Sequence, residues 1–254
     1  MASDPYARSF VNPLSMWGTR LVLALRVLRL IGVEPMFNFA IVRERYIHDL
    51  MRREAASVEQ VVILGAGFDT RAYRTPELVG LKLFEIDHPV TQVAKRSALA
   101  RAAVDVPGNV VFVAVDFDRD DLGERLLAEG YDPKKRTLFV WQGVIMYLTA
   151  AGIDRTLGLI ARAAQGSMVV FDYIDDGALH ASQTATLRFF TRAMGEAMTF
   201  GIPDGALRGF LESRGFSDVG SIGGAGLKRT YMTGANAGRP VAADAAIAWA
   251  RVGG

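Results

Sequence analysis

Across 254 residues the chain carries 29 lysines and arginines against 27 acids, is half apolar, and contains no cysteine. That excludes disulfides, cysteine metal ligands and thiolate nucleophiles. The basic residues are scattered apart from short pairs such as Lys134-Lys135 and Arg52-Arg53, so the dense basic stripe of a nucleic-acid binder is missing. The apolar share supports one sizeable core, and the lack of cysteine fits a cytoplasmic setting.

Residues 1–58 read as an N-terminal helical cap and residues 59–254 as the core of one structural unit. In the cap, Ser15–Ile31 and Pro35–Ala55 have helical patterning and are split at Gly32 and Pro35. The most apolar stretch, Leu21–Val33, is interrupted by Arg26 and Arg29 and falls short of the roughly 18–20 residues a membrane span needs. It also begins late for a signal peptide and lacks a small-residue cleavage site. No stable membrane insertion is expected.

The core alternates short β-branched runs with segments of helical length. Gln60–Leu64, Lys82–Ile86, Val110–Val115, Thr137–Trp141 and Met168–Tyr173 read as strands, several of them continuously apolar, as in strands covered on both faces. Pro89–Ala103, Asp121–Glu129 and Ala150–Ala164 read as the helices between them. This alternation predicts right-handed crossovers and a mainly parallel sheet. Pro203–Arg214 then reads as a helix capped by Gly215. Ser217–Ile222 and Leu227–Thr233 read as two antiparallel strands joined through Gly223-Gly224-Ala225-Gly226, which completes seven strands.

The most informative stretch runs from Val61-Val62-Ile63-Leu64 into Gly65-Ala66-Gly67-Phe68-Asp69-Thr70-Arg71. A buried strand entering a Gly-x-Gly turn lets a ligand approach the backbone at the sheet's carboxyl edge. A dinucleotide site favours a third glycine or alanine where Thr70 stands, and Asp69 repels phosphate. Asp87 ends the second strand before Pro89 opens a helix, where a carboxylate accepts hydrogens from both ribose hydroxyls. The same acid also suits an N-cap. Glu85 is the weaker candidate, because alternation turns it to the face opposite Ile86. After the third strand, Asp116 can read an adenine edge with Phe117 against the ring, or the pair is simply a turn.

Taken in order, Gly65-Ala66-Gly67-Phe68-Asp69-Thr70-Arg71-Ala72-Tyr73-Arg74, Phe84-Glu85-Ile86-Asp87-His88-Pro89 and Gly143-Val144-Ile145-Met146-Tyr147-Leu148-Thr149 resemble the leucine carboxyl methyltransferase family, and more closely its bacterial branch of O-methyltransferases. The resemblance runs from about Val42 to Arg239. It implies an α/β, Rossmann-like class I methyltransferase fold, a seven-stranded mainly parallel sheet with an antiparallel terminal strand and an N-terminal helical cap. It also implies S-adenosyl-L-methionine as methyl donor. By the matching motifs, Gly65, Ala66 and Gly67 shape the cofactor pocket, Asp87 holds the ribose, and Asp116 with Phe117 flanks the adenine. Arg43, in Arg43-Glu44-Arg45-Tyr46, meets the cofactor carboxylate with its guanidinium fork. Many members carry glutamate where this chain has Gln142, which keeps hydrogen-bonding capacity without the charge that faces the cofactor's ammonium.

Methyl transfer from a sulfonium is an in-line displacement in which proximity supplies much of the acceleration, and only a neutral alcohol acceptor needs a base. Asp172, Tyr173 and His180, at and after the end of the fifth strand, are the candidates for acceptor chemistry, and Tyr147 and Tyr173 for the acceptor wall. His88 reads as structural. No metal site, paired carboxylates or nucleophile elbow is present, and Pro133 rules out a reductase-type helix at Tyr131-Asp132-Pro133-Lys134-Lys135. The reading is an O-methyltransferase acting on a hydroxyl or carboxyl of a small, apolar, natural-product-like metabolite. The alternatives are a nicotinamide-dependent oxidoreductase on a similar sheet and a non-catalytic ligand-binding homologue.

Overall fold

The computed structural model describes residues 32, 34–117, 119–180 and 198–253. The expected helix Ser15–Ile31 lies outside the described residues, as does the side chain of His180. Seven strands form one sheet: β1 (Gln60–Leu64), β2 (Lys82–Asp87), β3 (Val110–Ala114), β4 (Thr137–Trp141), β5 (Met168–Ile174), β6 (Phe216–Gly223) and β7 (Ala245–Val252). Their order is β3-β2-β1-β4-β5-β7-β6. The pairings among β1 to β5 are parallel, whereas β7 runs antiparallel to both its neighbours.

Strand alternation sends side chains to two helical layers. One face, with Val62, Leu64, Phe139, Trp141 and Phe171, packs on Leu126, Ile153, Leu157 and Leu211. These come from α4 (Leu122–Ala128), α5 (Ala150–Ile160) and α7 (Leu207–Glu212). The other face, with Val61, Ile63, Leu138, Val140 and Val170, meets Phe39, Ile47, Met51 and Leu227, from α1 (Glu34–Glu54) and α8 (Gly224–Tyr231). Each such side chain removed from water contributes about 1.5–3 kcal/mol. The single-turn α2 (Arg71–Arg74), α3 (Pro89–Arg101) and α6 (Asp176–His180) complete the helices named here.

Side-chain caps start three of these helices. His88 Nδ1 accepts from the Val90 amide (3.3 Å), Asp121 from Glu124 (2.9 Å) and Thr149 from Gly152 (3.1 Å). The cap before α3 is therefore His88, not Asp87.

One expectation is overturned. Leu227–Thr233 is not a strand; it falls mostly in α8, and no hairpin follows β6. Leu227 is fully buried against the α1 layer, and the Thr230 hydroxyl donates to the Gly226 carbonyl one turn back (3.1 Å). Gly224 lets the helix start against the backbone of Ala242, where a Cβ would sit 1.8 Å from the carbonyl oxygen. The last strand is Ala245–Val252 instead, with buried and part-buried side chains largely alternating. Its alanines have weak β-propensity and hide it from a search for β-branched runs. The expected helix Pro203–Arg214 is also shorter, Leu207–Glu212, because a turn at Pro203 precedes it.

Candidate functional site

The carboxyl ends of β1, β2, β4 and β5 face one edge of the sheet, and the glycine loop lies among them. Gly65 and Gly67 both have positive φ (66° and 43°), which glycine adopts without penalty. A Cβ on Gly65 would also lie 2.3 Å from Val144 Cγ2, so the loop after β4 closes directly on the loop after β1. Ala66 is buried, and its amide donates to the Ile86 carbonyl (2.8 Å).

Asp87 ties the two loops together. One carboxylate oxygen accepts from the Gly67 amide and the other from the His88 amide (2.7 Å), and the residue remains part-exposed. His88 Nε2 lies 3.9 Å from an oxygen of Asp116, so Asp87, His88 and Asp116 form one ridge across the ends of β2 and β3. Phe117 is half-buried beside it, packed on the α4–α5 core.

Arg43, on α1, forms an ion pair with the buried Asp172 at the end of β5. The second oxygen of Asp172 accepts from the Gly143 amide (2.6 Å), so both oxygens of this candidate base are engaged. The Arg43 guanidinium lies against Gly143, where a Cβ would touch both its Nη atoms at 3.5 Å. Gln142 Nε2 donates to Glu44 (3.2 Å). Among the described residues, the buried side-chain atoms without a hydrogen-bond partner include Arg43 Nε, Arg71 Nη1 and Gln142 Oε1.

A charged cluster that sequence reading missed lies next to these groups. Arg71 is buried and grips Asp69 through Nε (2.8 and 3.0 Å) and Nη2, and its Nη1 is 3.7 Å from Glu44. Arg74 holds the other Glu44 oxygen (2.7 Å) and reaches His48 Nδ1 (3.4 Å). Burial raises the Asp69 carboxyl, but the Arg71 charge and hydrogen bonds outweigh it and leave the pKa lowered. His48 is held below its ordinary pKa by burial and by Arg74 and Arg71. One signal was available: Phe37, Ile41, Glu44 and His48 recur at three-to-four spacing on α1 and line one cavity.

That cavity holds about 590 Å³ and is also lined by Phe68, Arg71, Gln142 and Met232. Asp87, Asp116 and Phe117 are not among its walls. A smaller cavity of about 170 Å³ is lined by Arg43 itself, with Met36, Phe39, Met146, Tyr147, Ile174 and Asp172. Tyr147 therefore faces a cavity. Tyr173 lines neither; it tilts against Phe171 (6.2 Å), and burial raises its pKa while a bond with Ser221 opposes that. Glu85 is turned inward, paired with Lys95 (2.6 Å) and Tyr73 (2.8 Å). Among the described residues no helix is long and apolar enough to cross a membrane.

A sheet ordered β3-β2-β1-β4-β5-β7-β6 with β7 reversed, carrying a glycine loop after β1 and an acid at the end of β2, defines the class I, Rossmann-like methyltransferase fold. Solved structures agree on the fold. An O-methyltransferase family protein from Burkholderia thailandensis superposes with a TM-score of 0.56 at 16% identity, over 87% of this chain and 60% of that one. A Haemonchus contortus phosphoethanolamine N-methyltransferase, solved with phosphomonomethylethanolamine and S-adenosylhomocysteine, gives 0.52 at 13% identity, over 78% and 49%. The family model for leucine carboxyl methyltransferase matches residues 1–161, and the chain belongs to that family. YktD of Bacillus subtilis, provisionally named an S-adenosyl-L-methionine-dependent methyltransferase, is 34% identical over 163 residues, 63% of this chain and 53% of its own length. A Mycolicibacterium smegmatis protein with the same provisional name is 33% identical over 202 residues, 77% of this chain and 64% of its own. The chain thus spans between about half and two thirds of the length of these relatives.

Proposed function

We propose that this chain binds S-adenosyl-L-methionine at the carboxyl edge of its sheet and directs its methyl group to an oxygen of a small, apolar acceptor. The observation that carries the reading is the pair of orphaned buried groups flanking the glycine loop: Gln142 Oε1, an acceptor, and Arg43 Nε, a donor. A zwitterionic amino-acid end satisfies both, and leaving either bare costs about 1–3 kcal/mol. Asp87 retains acceptor capacity for ribose hydroxyls beyond its two amide bonds. In this reading Asp116 and Phe117, just beyond the end of β3, flank the adenine.

When bound, this cofactor supplies an electrophilic methyl group on a positively charged sulfur. The protein holds and aligns, and proximity supplies the acceleration. Asp172 holds Arg43 through one oxygen and the Gly143 amide through the other, and so fixes both beside the site. The 170 Å³ cavity beside Arg43, walled by methionines, Phe39 and Tyr147, suits an apolar acceptor. A carboxylate or acidic hydroxyl, which needs no strong base, is the acceptor such a site serves best. The reading carries a cytoplasmic setting, from the lack of cysteine, and a place in secondary metabolism.

Calorimetric titration of S-adenosylmethionine, and separately of the nicotinamide cofactors, tests this against the oxidoreductase alternative. Binding of the sulfonium alone, weakened at least tenfold by Asp87→Ala, is the expected result. Nicotinamide binding, or sulfonium binding indifferent to Asp87, overturns it. Turnover on a panel of hydroxyl and carboxyl acceptors then separates an enzyme from a non-catalytic binder.

A further inference from the structure

Position 142 is neutral in this chain, yet a carboxylate stands beside it. Gln142 Nε2 donates to Glu44 at 3.2 Å across a separation of 98 residues. That bond orients the amide so that Oε1 lies buried without a donor. Both residues line the 590 Å³ cavity, and the Glu44 side chain keeps 39% of its exposure.

We propose that Glu44 supplies the negative charge that receives the cofactor's ammonium group, with Gln142 Oε1 as the neutral acceptor next to it. The proposal rests on the cofactor reading above and deepens it. An ammonium presents three donors and no acceptor, and so needs a set of oxygens converging from different elements. Helix α1 supplies one here and the end of β4 the other. Arg74 occupies one Glu44 oxygen and Gln142 Nε2 the other, while a carboxylate has about four acceptor positions. The surrounding charges are matched in pairs: Arg43 with Asp172, Arg71 with Asp69, and Arg74 with Glu44. Arg45, on the same cavity, is turned to Tyr231, lying over its ring (5.0 Å) and donating to its carbonyl (3.4 Å), and His48 is kept toward its neutral form.

The test compares two nucleosides by calorimetry at pH 7. S-adenosylhomocysteine carries the amino-acid end, and 5′-methylthioadenosine has the same thioether nucleoside without it. Glu44→Gln is expected to weaken S-adenosylhomocysteine at least about tenfold, the loss of one charge-assisted hydrogen bond, and to leave 5′-methylthioadenosine within about twofold. Gln142→Glu alone, which sets two carboxylates side by side and removes the amide donor holding Glu44, is expected to bring no gain. Adding Gln142→Glu to Glu44→Gln moves the charge across the pair and is expected to restore S-adenosylhomocysteine affinity to within about threefold of wild type. Equal weakening of both ligands by Glu44→Gln marks a purely structural role and overturns the proposal. So does an unchanged S-adenosylhomocysteine affinity, or a tenfold gain from Gln142→Glu alone. If the wild-type chain binds neither nucleoside, the cofactor reading itself falls, and this proposal with it.

Discussion

Asp87 and Glu85 are two residues apart on one strand and so share a face. Their fates diverge because Asp87 is the last residue of β2, part-exposed at the sheet edge, whereas Glu85 lies within the strand and is covered by Lys95 of α3. Glu85 is buried against Lys95 and Tyr73. Burial pushes its carboxyl up to about 7, against the pull of Lys95. The folded chain then keeps this proton to about pH 7, while the unfolded chain releases it near the ordinary value of 4.5. Stability from this residue therefore falls as pH rises from about 4.5 to 7, and levels off above. The expected outcome for Glu85→Gln is a flatter dependence in that window, by up to about 3 kcal/mol in total. Urea midpoints at pH 5 and pH 7 for both proteins check it, and parallel slopes would refute it. The Asp69–Arg71 pair beside it has the opposite sense, an acid held low by its cation.

At the scale of elements, two glycines separate folding from binding. Gly224 starts α8 where any Cβ meets the Ala242 carbonyl at 1.8 Å. Because that obstacle is backbone, Gly224→Ala is expected to lower stability by at least about 2 kcal/mol. Gly65 combines positive φ with a contact to the Val144 side chain, so the obstacle there is a side chain of the neighbouring loop rather than backbone. Gly65→Ala is expected to leave a folded protein that has lost at least tenfold in S-adenosylmethionine affinity, because the loops after β1 and β4 are pushed apart. Melting curves and calorimetry on the two variants check the contrast; equal melting losses would contradict it. Helix α1 is the element that makes the site: Glu44 and His48 face the larger cavity, while Met36, Phe39 and Arg43 face the smaller.

For the whole molecule, a site assembled from α1, β1, β2, β4 and β5 binds its ligand only when folded, so the ligand stabilises the fold. S-adenosylhomocysteine at about a hundredfold its Kd is expected to add about 2.7 kcal/mol. That raises the Tm by roughly 5–10 °C for a chain of this size. Nicotinamide dinucleotides are expected to leave it unchanged. A thermal shift of equal size with both would point back to a dinucleotide fold. The sequence by itself determined β1 to β5, the glycine loop and the acid closing β2. Those features are local: continuous β-branched runs mark strands buried on both faces, and glycines mark the turn after them. Only the tertiary structure decided that Leu227 belongs to a helix and that the alanine-rich Ala245–Val252 is the reversed strand between β5 and β6. Alanine has no strong β preference, so packing between two neighbours chose the conformation. The pairings of Arg43 with Asp172 and of Glu44 with Gln142 span 129 and 98 residues. They exist because α1 crosses the carboxyl ends of β4 and β5, a juxtaposition that no local pattern in the chain encodes.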